Sequence, residues 1–243
     1  MSAFFSVDYH GPAFQLFGWA HLTMLGVISL ILVGLISWGG NIPSHLRIYV
    51  RYGFAALLIA NELFWHVWVW GAGQWKVQTM LPLHFCSVAV ILSVFMLLTK
   101  SQRLYELVYF IGISGAILAL LTPAMGRYGA QHALFYQFFI SHGMIIVAAV
   151  YMSVVECFRP TWRALIRVSV VGILYMLLVS RVNLLLDSNY LFIAQKPEEA
   201  TTLDILPPWP WNIPFMVLGM LLMMLFLYYL ISKKRDRVDG SIL

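Results

Sequence analysis

The sequence predicts an all-α, polytopic membrane protein: a single transmembrane helical domain over residues 1–243, built as a seven-helix bundle with its N-terminus outside and its C-terminus in the cytoplasm. Three observations predict it. The chain is 61% hydrophobic and 10% charged, with a mean hydropathy of +0.84, which lies outside the soluble globular range. Its apolar runs reach the about 20 residues that a helix needs to cross a hydrocarbon core about 30 Å thick. Its Lys and Arg residues concentrate in alternate connections.

The spans follow in order. Residues 17–38 form the first; no Lys or Arg precedes them and no small-residue cleavage site follows, so this segment is expected to stay as a span and not to be removed as a signal. Residues 48–70 form the second and carry Glu62 and His66. Residues 81–99 form the third, with Pro82 suited to its first helical turn. Residues 104–121 form the fourth, residues 132–156 the fifth, with His142 inside it, and residues 164–186 the sixth, with Arg181 and Asn183 inside it. The connection 187–211 is long, and Lys196-Pro197-Glu198-Glu199 and Pro207-Pro208-Trp209-Pro210-Trp211 interrupt any helix there. A loop of that length beside a membrane covers a site or moves. Trp209 and Trp211 suit the membrane interface. Residues 212–232 form the last span. No internal repeat is visible, which weighs against an inverted-repeat transporter.

Charge sets the orientation. Arg47, Arg51, Lys100, Arg103, Arg159, Arg163, Arg167, Lys233, Lys234, Arg235 and Arg237 fall on one set of alternate connections, against Lys76, Arg127 and Lys196 on the other. The cytoplasmic side takes the larger set. Read by position, the formal charge of +5 marks topology and implies no nucleic-acid partner. The cysteines do not pair on this topology, because Cys86 lies near the outer end of one span and Cys157 at the inner end of another. That is a membrane thickness apart, whereas a disulfide needs Cα atoms within about 7 Å.

Ionisable residues inside spans point to a site, because each is costly to place there. At 1.5 Å per residue, Glu62 lies about 12 Å and His66 about 6 Å from the outer end of span two, and Cys86 about 8 Å inside span three. His142 lies about 15 Å inside span five, and Arg181 and Asn183 about 5–8 Å from the outer end of span six. A polar cavity opening to the outer leaflet is expected. Glu62 and His66 are i and i+4, so the carboxylate either holds one imidazole nitrogen and frees the other as a base, or the two form a structural pair tying helices together. His142 is either a bonded core histidine or part of the same chemistry. Cys86 is either a small hydrophobe or, near a helix N-terminus, a thiol favoured as thiolate. His84 stands two residues earlier, about 200° around a regular helix, and is not expected on Cys86's face. Glu62, His66, His84, Cys86 and His142 supply metal-ligand donor types, but no compact ligand signature is present, so no metal site and no cofactor are expected.

The order Asn61-Glu62, Leu81-Pro82-Leu83-His84 with Cys86, Gly115-Ala116 with Leu121-Thr122-Pro123, His142, Arg181 with Asn183, Asn189-Tyr190 and Pro208-Trp209-Pro210-Trp211 resembles the bacterial YwaF-like integral membrane proteins. That family is similar to the transmembrane protein 164 family, whose members are described as phospholipid acyltransferases with a cysteine nucleophile. The resemblance implies that Cys86 is the nucleophile in an acyltransferase or lipid thioesterase, with His142 or His66 moving the proton and Glu62 orienting His66. Free amides at the start of span three are expected to steady the oxyanion. Arg181 is expected to bind a lipid phosphate and to pair with Glu62, Asp187 or that headgroup, with Asn183, Asn61, His84 and Tyr190 completing a substrate site for membrane phospholipid. The alternative from a different class is a non-catalytic lipid or small-solute binder or transporter. Few loops and no glycan or disulfide framework point to a bacterial plasma membrane.

Overall fold

The protein, seen here in a computed structural model, is described over residues 3–196 and 202–239; Pro197, Glu198 and Glu199 lie outside the described residues, as do the side chains of Lys233, Lys234, Arg235 and Arg237. Among the described residues the fold is all-α. The helices are α1 (Trp19–Trp38), α2 (Ser44–Gly71), the single turn α3 (Val77–Met80), α4 (Phe85–Thr99), α5 (Gln102–Leu107), α6 (Ile113–Leu121), α7 (Ala133–Val154), α8 (Trp162–Leu186) and α9 (Asn212–Asp239). Helix α5 runs through a π turn, Val108–Gly112, into α6, and the three together form one span. Six helical segments among the described residues are long and apolar enough to cross a membrane, and α4 is a shorter apolar helix of 15 residues.

The expected third span is therefore shortened. Residues 81–84 are a turn, and Pro82 lies before the helix instead of in its first turn. The physical reason is that side chains from elsewhere claim this backbone. Leu81 N–H donates to the Tyr190 hydroxyl (2.9 Å), Leu83 C=O accepts from the Tyr175 hydroxyl (2.9 Å), and Leu81, extended at ψ 143°, stands before a proline that disfavours helix there.

Helix α7 is the hub. Some 67% of its apolar window is buried, against 6% for α1 at the periphery. It packs on α1, α2, α4 and α6, and α2 packs along α4. Gly112 lets α4 and α7 close on the π turn, since a Cβ there would stand 3.1 Å from Ile145 and 3.3 Å from Ala89. Capping residues start the helices where the sequence allows: Ser101 accepts from Leu104 N–H, Thr161 from Ala164 N–H and His132 Nδ1 from Leu134 N–H. The outer faces of α8 and α9 present Leu177, Leu178, Leu184, Leu218, Leu222 and Phe226 outward, as lipid contact demands.

The two ends differ. At one end, the loop end, residues 72–84, 122–132, 187–196 and 202–211 meet, and the N-terminal segment folds over them. His132 Nε2 bonds Ser6 C=O (3.0 Å), Trp68 Nε1–H donates to Phe5 C=O (3.1 Å) and Arg127 donates to Val7 C=O (3.0 Å). A Cβ on Gly129 would lie 2.2 Å from Pro12 C=O, so this crossing requires glycine. At the opposite end the charges pair: Glu156 holds Arg51 (3.3 Å) and Lys100 (2.6 Å), Glu106 holds Arg167, and Arg51 also donates to Leu97 C=O (2.6 Å). Both free cysteines stay apart from disulfide chemistry, Cys86 half-buried and Cys157 exposed.

Because Arg51 and Glu156 are only 9% and 6% exposed at the side chain, breaking the pair strands a charge. Glu156→Ala is expected to destabilise the bundle by about 3 kcal/mol, read as a lowered melting temperature in detergent; an unchanged melt would show that Arg51 is solvated at this end.

Candidate functional site

Cys86 is the second residue of α4, and its position is set by the turn before it. Tyr190 fixes that turn. Its buried hydroxyl accepts from Leu81 N–H and donates to Val77 C=O (2.5 Å), so one phenol closes residues 77–81 into a loop. Burial pushes this phenol above its usual pKa range. Tyr190 is held in turn by Asn183, whose amide accepts from Tyr190 N–H (2.8 Å) and donates to Tyr190 C=O (2.9 Å). Ser188 donates to the same Asn183 oxygen at 2.9 Å. Below the turn, Cys86 Sγ lies against Gly115 of α6, 3.5 Å from where a Cβ would be. A larger residue at 115 would press on the thiol.

The histidines separate by what their nitrogens already do. His66 is used on both sides: Trp75 Nε1–H donates to Nδ1 (3.2 Å), which leaves the proton on Nε2, facing Glu62 Oε1 at 3.5 Å. Neither nitrogen is free as a base. His142 Nδ1 bonds Phe138 C=O at 2.8 Å, so the proton sits there and the Nε2 lone pair has no partner among the described residues. His84 Nδ1 accepts from Leu191 N–H at 3.4 Å, which places its proton on Nε2 as an available donor. His84 lies before α4 begins, so helical angular spacing does not separate it from Cys86, contrary to the expectation from a regular helix.

These residues share one cavity of about 1160 Å³. Glu62, His66, His84, Cys86 and His142 all line it, together with Gly115, Arg127, Gln137 and Ser141. It continues past Cys86 along α8 and α9, where its lining is mostly apolar and includes the hydroxyl-bearing Ser169. Among the described residues no group of three or more His, Cys, Asp and Glu is close enough to hold a metal ion.

Four expected substrate residues are elsewhere. Arg181 is exposed, does not line the cavity and has no ion pair among the described residues; Glu62, one expected partner, faces His66 instead. Its position on α8 turns it outward from the bundle. Asn183 and Tyr190 are buried and spend their polar atoms on the chain's own backbone, so they position the α4 turn and do not reach the cavity. Asn61 is likewise consumed, donating to Gln137 C=O at 3.1 Å and tying α2 to α7. The sequence reading missed Trp75, the second partner of His66, and Arg127, the one Lys or Arg of the cavity lining among the described residues. Arg127 did leave a signal, as a lone cation on the sparsely charged side.

Fold and cavity together define a polytopic helical membrane protein whose titratable side chains gather toward the loop end of an internal cavity. Within that class the chain belongs to the TMEM164 family, whose profile matches residues 16–228. No curated protein and no solved structure matches it.

Removing the clamp tests its positioning role. Tyr190→Phe leaves Leu81 N–H and Val77 C=O without their partner and should cost about 1–3 kcal/mol, read by detergent melting. The same variant should alter the rate at which a small maleimide labels Cys86, whereas an unchanged rate would detach the turn from the thiol.

Proposed function

We propose that this protein is a cysteine-dependent lipid acyltransferase or lipid thioesterase acting on membrane phospholipid. In this reading the chain is one domain crossing the membrane seven times, α4 included, with its N-terminus outside, and its site opens to the outer leaflet of a bacterial plasma membrane. The observation that supports it most is the joint lining of a single cavity by Cys86 at the start of α4 and by His142, whose Nε2 lone pair is uncommitted.

The chemistry runs as two displacements. His142 Nε2 takes the Cys86 thiol proton, the sulfur attacks the lipid ester carbonyl, and the amides at the start of α4 with His84 Nε2–H face the oxyanion. The ester C–O bond breaks, the lysolipid oxygen leaves with the proton carried by His142, and the acyl group remains on sulfur as a thioester. A hydroxyl of a second lipid, or water, then gives its proton to His142 and attacks the thioester carbonyl, which releases the product and returns the proton to Cys86. His142 is the base in this scheme because the ring of His66 is occupied by Trp75 and Glu62. Arg127, at the loop end, binds the phosphate in place of Arg181, since a guanidinium's fork suits that anion.

A non-catalytic lipid binder is the second reading, favoured by one observation: among the described residues Cys86 makes no hydrogen bond to a histidine. The thiol decides between them. After incubation with mixed phospholipids, intact-protein mass should show a hydroxylamine-sensitive acyl adduct that Cys86→Ala abolishes and His142→Ala reduces by about 100-fold or more. Lipid binding retained in Cys86→Ala with no adduct on the native protein would favour the binder. Topology has its own check: cysteine labelling at residue 100 and residue 196 should report opposite sides of the membrane, and labelling from one side would overturn the seven-span arrangement.

A further inference from the structure

The cavity does not end at Cys86. Ile111, four residues beyond Gly115 along the π turn and α6, lines it about 6 Å deeper, and on α8 the lining runs from Met176 to Val168, about 12 Å. On α9 it runs from Met216 to Met224 over a similar length. Among the described residues this limb contains no ionisable one. The helix that forms its far wall is sorted by face: Met216, Met220, Met223 and Met224 line the cavity at i, i+4, i+7 and i+8, while Leu218, Leu222, Leu225 and Phe226 are exposed on the other side. Phe215, Val217 and Leu221 of this helix line the cavity as well, so its cavity face is mixed apolar with methionine the commonest residue. Glycine widens the space on both walls, for Gly172 and Gly219 also line it, and a Cβ on Gly219 would meet nothing within 4 Å.

From this geometry we infer that the α8–α9 limb is the binding site for a single fatty acyl chain of the phospholipid whose ester carbonyl lies at Cys86, with Met220 controlling access and Met224 setting the chain length accepted. The inference rests on the acyl-transfer reading for its register with Cys86. The occupant follows from shape and chemistry. The limb is elongated, mostly apolar and continuous with a polar compartment that, among the described residues, carries the cation Arg127, which matches a tail, an ester and a phosphate in that order. Methionine side chains are unbranched and polarisable and fill irregular gaps, so a limb lined by them adapts to straight and to kinked chains alike. Length is discriminated more sharply than unsaturation, because Met224, 1% exposed, stands at the deep end where added methylenes meet packed core.

The test compares dioctanoyl and dipalmitoyl phosphatidylethanolamine as acyl donors to the native protein, Met220→Trp and Met224→Ala, reading the Cys86 adduct by intact mass. Binding of the same lipids to Cys86→Ser, with and without Met220→Trp, is read in parallel by native mass spectrometry. Met220→Trp should lose the palmitoyl adduct by more than about tenfold relative to the octanoyl adduct, and Met224→Ala should shift preference toward longer chains. Equal chain preference in all three proteins overturns the limb assignment. If no donor forms an adduct but Cys86→Ser binds dipalmitoyl lipid and the added Met220→Trp abolishes that binding, the limb stands as a tail site and the acyl-transfer reading falls. Binding indifferent to Met220→Trp in that background overturns the limb as well. Detergent melting within a few degrees of the native protein confirms that each variant is folded.

Discussion

The shortness of α4 is the constraint on which the rest of the site depends. A helix of 15 residues is about 22 Å long, so the chain entering it runs as turn and loop at a depth where its neighbours are still helical. Backbone amides and carbonyls have no water to turn to in hydrocarbon, and irregular chain is tolerated only where protein satisfies it or a cavity solvates it. Here Tyr190 and Tyr175 supply hydroxyls to residues 77, 81 and 83, and Asn183 supplies the amide that holds Tyr190. The break in turn exposes the first amides of α4 and sets a thiol among them. A full-length span would have carried Cys86 on a closed helix wall with every amide beside it spent.

That dependence explains which parts of the molecule were legible in sequence. Long apolar runs fix spans by transfer free energy alone, and the boundaries at Gly71, Leu121, Val154 and Leu186 fall close to where hydropathy ends. The pair Glu62 and His66 was legible because i and i+4 contacts are local. Nothing local announces Trp75, which reaches His66 from beyond a turn, or the hydroxyl of Tyr190, whose target lies 109 residues away. Pro82 read as a first-turn residue because proline fits there, but the same proline also fits a turn, and long-range hydrogen bonds chose between them. Arg181 was misplaced for a related reason: depth within a span can be counted from sequence, while the direction a residue faces depends on packing.

The Asn183 and Tyr190 outcome has a broader physical basis. A buried polar side chain must be satisfied by something, and sequence alone gives no preference between a ligand and the chain's own backbone. Asn183 and Tyr190 proved to be bonded to the chain's own backbone, and the Asn61 amide donates to Gln137 C=O. Free valence, not polarity, marks the groups left for chemistry. By that criterion His142 Nε2 and His84 Nε2 stand out, while both nitrogens of His66 face partners, Trp75 and Glu62.

Access to the cavity carries the last step. The cavity of about 1160 Å³ is not sealed: Leu118, Ile173 and Phe215 line it and are also exposed at the surface, so solvent and lipid can enter it. Water can fill the loop end, where Glu62, Arg127, Gln137 and the histidines offer partners, but a water needs two to four such partners and the α8–α9 limb offers almost none. In a membrane the available apolar filler is lipid itself. On the proposed reading a tail held in the limb adds dispersion contacts to those that α8 and α9 make with each other, and so would contribute to the stability of the bundle as well as to its chemistry. On that reading occupancy and fold are one equilibrium: the lipid that fills the cavity presents its ester to the thiol at the start of α4.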